Sequence, residues 1–116
     1  YRNERTLAWI RELKRQGYKI GILSNMSEDF AIRFRATFPD FIAEADAVVL
    51  SGEERMFKPQ RRIYDLVAAR LGLPSDALVF IDDAETNCEG ARAAGWQAIR
   101  FVSNDQVEAE RYSYLP

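Results

Sequence analysis

Apolar and polar positions along this chain fall into blocks that switch between helical and strand periods. Leu7, Ile10 and Leu13 recur at helical spacing, and Gly17 follows them as a stop signal. Lys19 to Leu23 then reads as a strand. Ser27 suits a helix N-cap, with Glu28 and Asp29 in the first turn, where the helix dipole favours acids. Phe30, Phe34 and Phe38 recur every four residues. The stripe reads as core packing, because a base-stacking platform needs a basic groove beside it. Ala47 to Leu50 is a second apolar strand. Pro59 is expected at the first position of a helix whose buried face carries Ile63, Val67 and Leu71. Leu78-Val79-Phe80-Ile81 predicts a strand buried on both faces, and Asp82-Asp83 closes it. The next helix presents Asn87, Gly90, Ala91 and Ala94, a small-residue face expected to let its backbone approach the sheet. Gln97 to Phe101 makes a fourth strand, and the polar tail through Pro116 is expected to hold one more short helix.

Helix and strand thus alternate with short connectors, which predicts an α/β fold with a parallel sheet. Right-handed crossovers would set all four strands parallel, with their C-terminal ends on one edge. Three helices end in Gly followed by a large apolar residue: Gly17-Tyr18, Gly72-Leu73 and Gly95-Trp96. Each pair predicts a left-handed cap with a hydrophobic contact back onto its helix. No repeat or low-complexity linker interrupts the chain, so residues 1–116 read as a single domain.

Composition narrows the chemistry. The chain has 116 residues, 47% of them hydrophobic and 29% charged, with a net charge of −2. A domain of this size buries roughly 60–70% of its unfolded surface. Its basic residues are scattered, so the electrostatic footprint of a nucleic-acid binder is missing. No apolar stretch approaches a membrane span and no signal peptide opens the chain. Cys88 is the single cysteine, which fits a reducing, cytoplasmic setting and reads as a small core residue. The chain contains no His, which excludes histidine triads and His-ligated zinc. It opens on Tyr1 without a Met, as expected of a piece of a longer protein; a native short chain with its Met removed is the alternative.

Three features are expected on the C-terminal edge of the sheet, where open α/β folds bind ligands. The first strand ends in Ser24-Asn25, the segment after the second reaches Lys58-Pro59, and the third ends in Asp82-Asp83. Taken singly, Ser-Asn after a strand is a common turn or cap, and Lys before Pro a common loop charge. Paired carboxylates are more telling, since adjacent like charges repel unless a cation or a shared proton offsets them. Hydroxyl, amine and carboxylates together are what phosphoryl transfer uses. Ser24 and nearby backbone N–H groups can hold phosphate oxygens beside a helix N-terminus. Lys58 can neutralise charge, its backbone restricted by Pro59. The carboxylates suit Mg²⁺, a cation that prefers oxygen ligands and retains several waters.

With these residues in place, the chain resembles the C-terminal half of the core domain of haloacid dehalogenase-like hydrolases. The matching stretches are Gly-Tyr-Lys-Ile-Gly-Ile-Leu-Ser-Asn, Phe-Lys-Pro-Gln-Arg-Arg-Ile-Tyr and Phe-Ile-Asp-Asp-Ala-Glu-Thr-Asn-Cys-Glu-Gly-Ala-Arg-Ala-Ala-Gly. The resemblance implies a Rossmann-like three-layer α/β/α core, here partial. It implies Ser24 as the phosphate-binding hydroxyl, with Asn25 beside it, and Lys58 as the lysine of the site. Asp83 is implied as the principal Mg²⁺ ligand and Asp82 as a supporting acid. Asn87 stands where many relatives carry a second acid. Arg55 replaces a frequent Gly and Gln60 a frequent Asp, neither at a position that carries chemistry.

The larger departure is that nothing here matches the family's Asp-x-Asp motif, which supplies nucleophile and general acid/base from an N-terminal strand. The helical cap that selects the substrate is missing as well. The implied activity is therefore that of the complete protein: a Mg²⁺-dependent phosphatase acting on a small phosphorylated metabolite through an aspartyl-phosphate. This chain alone is expected to be inactive. Two alternatives stand beside it, a metal-free haloacid dehalogenase and a non-catalytic core that binds a partner or an ion. Dehalogenases of this fold commonly carry Ser in place of the acidic pair, so Asp82-Asp83 favours the phosphatase. No nucleic-acid or membrane partner is expected. Loss of the first strand would leave sheet edges open, so a homodimer through such an edge is expected.

Overall fold

A computed structural model describes residues 4–110. These divide into two compact units, one ending at Phe57 and the other starting at Lys58. In the first unit, α1 (Glu4–Arg15) leads to β1 (Gly21–Ser24), α2 (Glu28–Thr37), α3 (Pro39–Glu44), β2 (Ala47–Leu50) and α4 (Ser51–Glu54). In the second, α5 (Arg61–Leu71) and a 3₁₀ turn (Ser75–Ala77) precede β3 (Val79–Asp82), α6 (Glu85–Ala93), β4 (Gln97–Arg100) and α7 (Asn104–Glu110). The tail helix expected from the sequence is thus α7; residues 111–116 lie outside the described part.

All strand pairing is parallel, as expected, but it forms two two-stranded ladders instead of one four-stranded sheet among the described residues. β1 pairs with β2, from Gly21↔Ala47 to Ser24↔Leu50. β3 pairs with β4, from Val79↔Gln97 to Asp82↔Arg100. A parallel pair requires a long crossover. In the first unit α2 and α3 supply it; in the second, α6 does.

The first unit buries Leu7 and Leu13 of α1, Ala31 of α2, and Ala47, Val49 and Leu50 of β2. Phe34 and Phe38 pack ring against ring at 5.3 Å, and Phe41 joins Phe38 edge-on at 6.2 Å. The stripe is less buried than expected: Phe34 and Phe38 are half-buried, and Phe30 is 52% exposed, with the Arg33 guanidinium 5.7 Å from its ring centre. A strict four-residue repeat drifts by about 40° per step around a helix with 3.6 residues per turn. The buried position of that turn is therefore Ala31, which is fully inaccessible. Ser27 caps α2 as predicted, accepting from Phe30 N at 3.1 Å. The pattern did not anticipate α3 and α4, which are too short to show a period.

The second unit is organised around Tyr64, Phe80 and Trp96, whose rings meet edge to face with centroids 5.5–5.9 Å apart. Ile63, Val67 and Leu71 form the buried face of α5 as expected. Burying side chains of this size contributes roughly 1.5–3 kcal/mol each. β3 is less enclosed than its apolar run suggested, since Phe80 is buried while Val79 and Ile81 are partly exposed. The expected position of Pro59 is corrected. α5 begins at Arg61 with Gln60 as its cap, so Pro59 precedes the cap in a turn that holds Lys58 near Asp82. The Lys58–Pro59 peptide is cis. α6 does pack closely on β3 and β4, with Ala91 and Ala94 buried, but Gly90 is turned elsewhere: a Cβ on Gly90 would lie 2.7 Å from Pro59 Cβ and 2.9 Å from Tyr64 Oη. Its close approach is to α5 and the turn before it.

The three Gly-terminated helices end as predicted. Gly17, Gly72 and Gly95 have φ of 95°, 68° and 93°, the left-handed region. In each case the next residue donates back to a carbonyl five positions earlier: Tyr18 to Leu13, Leu73 to Ala68, and Trp96 to Ala91, at 3.0–3.2 Å. Those bonds satisfy carbonyls that a helix end would otherwise leave open. Arg55 is the one non-glycine in that region among the described residues (φ 58°), a conformation that glycine adopts without steric cost.

Candidate functional site

Ser24 is the last residue of β1 and pairs with Leu50, so it stands at the C-terminal end of its ladder. Asn25 follows it. Met26 is then tied to the start of α4: Ser51 Oγ accepts from Met26 N at 2.7 Å and donates to Met26 O at 2.9 Å. One residue on, Ser27 caps α2. Ser24 and Asn25 therefore lie between a strand end and a helix N-terminus.

In the second unit, Asp82 ends β3 with a carboxylate that is 8% exposed. Its Oδ2 accepts from Lys58 Nζ at 2.6 Å and, at a long 3.4 Å, from Asn87 Nδ2. Its Oδ1 accepts from Ala84 N at 2.8 Å, which turns the chain out of the strand and into α6. Lys58 is equally enclosed, at 8%, and its ammonium lies 5.4 Å from the centre of the Phe80 ring. Burial by itself would push the Asp82 carboxyl up. The Lys58 hydrogen bond, the Ala84 amide and the Lys58 charge outweigh burial and hold it below its ordinary value.

Around this pair the structure brings together Lys58, Asp82 and Asn87. Asp83, next in sequence, is exposed, and its carbonyl accepts from Arg100 Nε at 3.3 Å. Its side chain nevertheless reaches that of Asp82, and the hydrogen bond between them is a further cause of the lowered Asp82 value. Asp82, expected in a supporting role, is the carboxylate engaged with Lys58. Ser24 and Asn25 belong to the other unit.

Two further groups were not singled out from the sequence. Tyr64 is fully buried, and its hydroxyl donates to Asn87 O at 2.7 Å, tying α5 to the first turns of α6. Burial, then the nearby charges of Asp82 and Cys88, push its hydroxyl up to about 12, so it remains a neutral donor. Its place in the periodic face of α5 masked it as one more core residue. Ser51 is the second, and a hydroxyl directly after an apolar strand was the available signal. Cys88 is buried, with burial foremost raising its thiol pKa, which fits a core residue.

The described residues contain no group of three or more His, Cys, Asp or Glu able to cage a metal ion. Mg²⁺ does not require such a cage, since it is typically held by one or two carboxylates, waters and substrate phosphate oxygens. Asp82 and Asp83 fit that donor set. No helix among the described residues is long and apolar enough to cross a membrane.

A family model for haloacid dehalogenase-like hydrolases matches residues 3–95. A phosphatase of Mycobacterium tuberculosis is 33% identical over 89 residues, covering 77% of this chain and 41% of that protein. An (S)-2-haloacid dehalogenase of Pseudomonas sp. (strain YL) is 34% identical over 89 residues, covering 75% and 37%. The chain thus spans about two-fifths of the length of these curated relatives. Among solved structures, an enzyme of the same family from Bacteroides thetaiotaomicron, in complex with magnesium and inorganic phosphate, superposes with a TM-score of 0.76. It is 25% identical, and the match covers 88% of this chain and 52% of that one.

Proposed function

The chain belongs to the haloacid dehalogenase-like hydrolases, and from that premise we propose that it forms part of a Mg²⁺-dependent phosphatase acting on a small phosphomonoester. The observation that carries this reading is the acidic pair at the end of β3, with Asp82 held by Lys58 at 2.6 Å. In this reading Asp83 and Asp82 hold the cation, with Asn87 at the margin of the set. Mg²⁺ would offset negative charge on the transferring phosphoryl group. Ser24 and Asn25 bind and orient phosphate oxygens. Lys58 balances charge on the phosphate and on the nucleophile. That nucleophile is an aspartate of an Asp-x-Asp motif outside these 116 residues. Its oxygen bonds to phosphorus as the ester P–O bond breaks and the alcohol departs. Water then cleaves the aspartyl-phosphate, releasing inorganic phosphate. A cytoplasmic setting and a small phosphorylated metabolite as substrate are part of the same proposal.

A second reading, metal-free dehalogenation at carbon, is favoured by the haloacid dehalogenase relatives. Two adjacent carboxylates have no evident use in it. A non-catalytic binding core is the third. One set of assays separates them: hydrolysis of an aryl phosphate with Mg²⁺ and with chelator, and halide release from a 2-haloacid without metal. The 116-residue chain is expected to show neither activity, and a protein extended upstream through Asp-x-Asp to show chelator-sensitive phosphate release. Robust turnover by the 116-residue chain would defeat the assignment of an external nucleophile. Metal-independent halide release would install the second reading, and a full-length sequence without Asp-x-Asp the third.

A further inference from the structure

The stretch that leaves β1 is fastened more firmly than a surface loop requires. At one end Ser24 pairs with Leu50 in the ladder. At the other, Met26 is gripped through both its N–H and its C=O by the single hydroxyl of Ser51, 25 residues away in sequence. Gly52 closes the grip: a Cβ there would lie 2.3 Å from Glu28 N, 2.4 Å from Ser27 C and 2.7 Å from Met26 O. These are backbone atoms of the loop and of the α2 N-terminus, and backbone cannot swing aside as a long side chain can. Ser27 then locks the next turn by capping Phe30 N. Leu50, Ser51 and Gly52 are consecutive, so one short piece of chain anchors both ends of the Ser24–Met26 stretch.

We propose that Ser51 and Gly52 are positioning residues for phosphate binding, holding the Ser24 hydroxyl and the Asn25 amide in a ready-made orientation. The inference rests on the reading of Ser24 as a phosphate-binding hydroxyl. An unfastened Ser24–Met26 turn would have to be ordered on binding, and that cost appears as lost affinity. Ser51 touches no phosphate in this account; it acts through the Met26 backbone.

The test is a titration of the 116-residue chain with inorganic phosphate, followed by amide NMR shifts at Ser24, Asn25 and Met26, with thermal unfolding alongside. Ser51→Ala is expected to weaken phosphate binding by about tenfold, the scale of one lost hydrogen-bonded anchor. Ser51→Thr, which keeps the hydroxyl, restores binding to within about twofold on the same scale. Gly52→Ala, where it folds, weakens binding as well. A Ser51→Ala chain with a lowered thermal midpoint but unchanged phosphate affinity shows a merely structural role and overturns the inference alone. Absence of any phosphate-dependent shift in the unsubstituted chain overturns the reading of Ser24 and takes the inference with it.

Discussion

Burying an ammonium and a carboxylate together, as Lys58 and Asp82 are buried, sets a large desolvation cost against a large attraction. The balance of the intact pair is small, but the balance after removing one partner is not. Lys58→Met leaves the Asp82 charge enclosed without its cation, and Asp82→Asn takes the counter-charge away from the buried Lys58 ammonium. Each single change is expected to destabilise by about 3–5 kcal/mol, and the double replacement by clearly less than the sum. Urea unfolding of the four proteins measures this, and strictly additive losses would show that the pair is not energetically coupled. Both residues were candidates from the sequence, as members of the set expected on the C-terminal edge of the sheet. Their pairing was not legible there, because it joins positions 24 apart. Nor does an Asp-Asp dipeptide tell which carboxylate faces the lysine. That depends on the register and twist of β3 against β4, which place Asp82 opposite Arg100.

Helix boundaries show how far local rules reach. The Ser27 cap and the three glycine ends follow from interactions within a few residues of the chain, so the sequence pattern alone was sufficient for them. Phe30 was misplaced because a strict four-residue repeat drifts around the helix, and Pro59 because its surroundings are set by other elements. Phe30 rotates out of the α2 core, and Pro59 joins the turn that holds Lys58. Gly90 is the clearest case of an element-level conflict. Within a helix, Gly→Ala is ordinarily favourable by about 0.8–1 kcal/mol. Here the new methyl would press on Pro59 and on the ring of Tyr64, which is fully buried and hydrogen-bonded and cannot retreat. Overpacking of this kind costs about 1–3 kcal/mol. Gly90→Ala should therefore lower stability by up to about 2 kcal/mol net, the contact outweighing the propensity. A raised thermal midpoint in the variant would mean that α5 and α6 separate more easily than their packing suggests.

Across the whole molecule, the described residues form two parallel ladders of two strands each. The outer edges of each ladder have no strand partner among the described residues, and such edges invite pairing with another chain. The 116-residue chain is accordingly expected to self-associate, with a sedimentation coefficient that rises with concentration. Strictly monomeric behaviour at high concentration would count against open edges. The α/β class, the order of the longer helices and strands, the Ser27 cap and the three glycine helix ends were determined by the sequence itself. They depend on periodicity, on turn chemistry and on contacts between near neighbours. The buried Lys58–Asp82 pair, the Tyr64 tie to α6, the Ser51 grip on Met26 and the division of strands into two ladders were decided only by tertiary structure. Each joins residues some 20 or more positions apart, or depends on how strands pair, and local pattern carries no record of which distant partner wins.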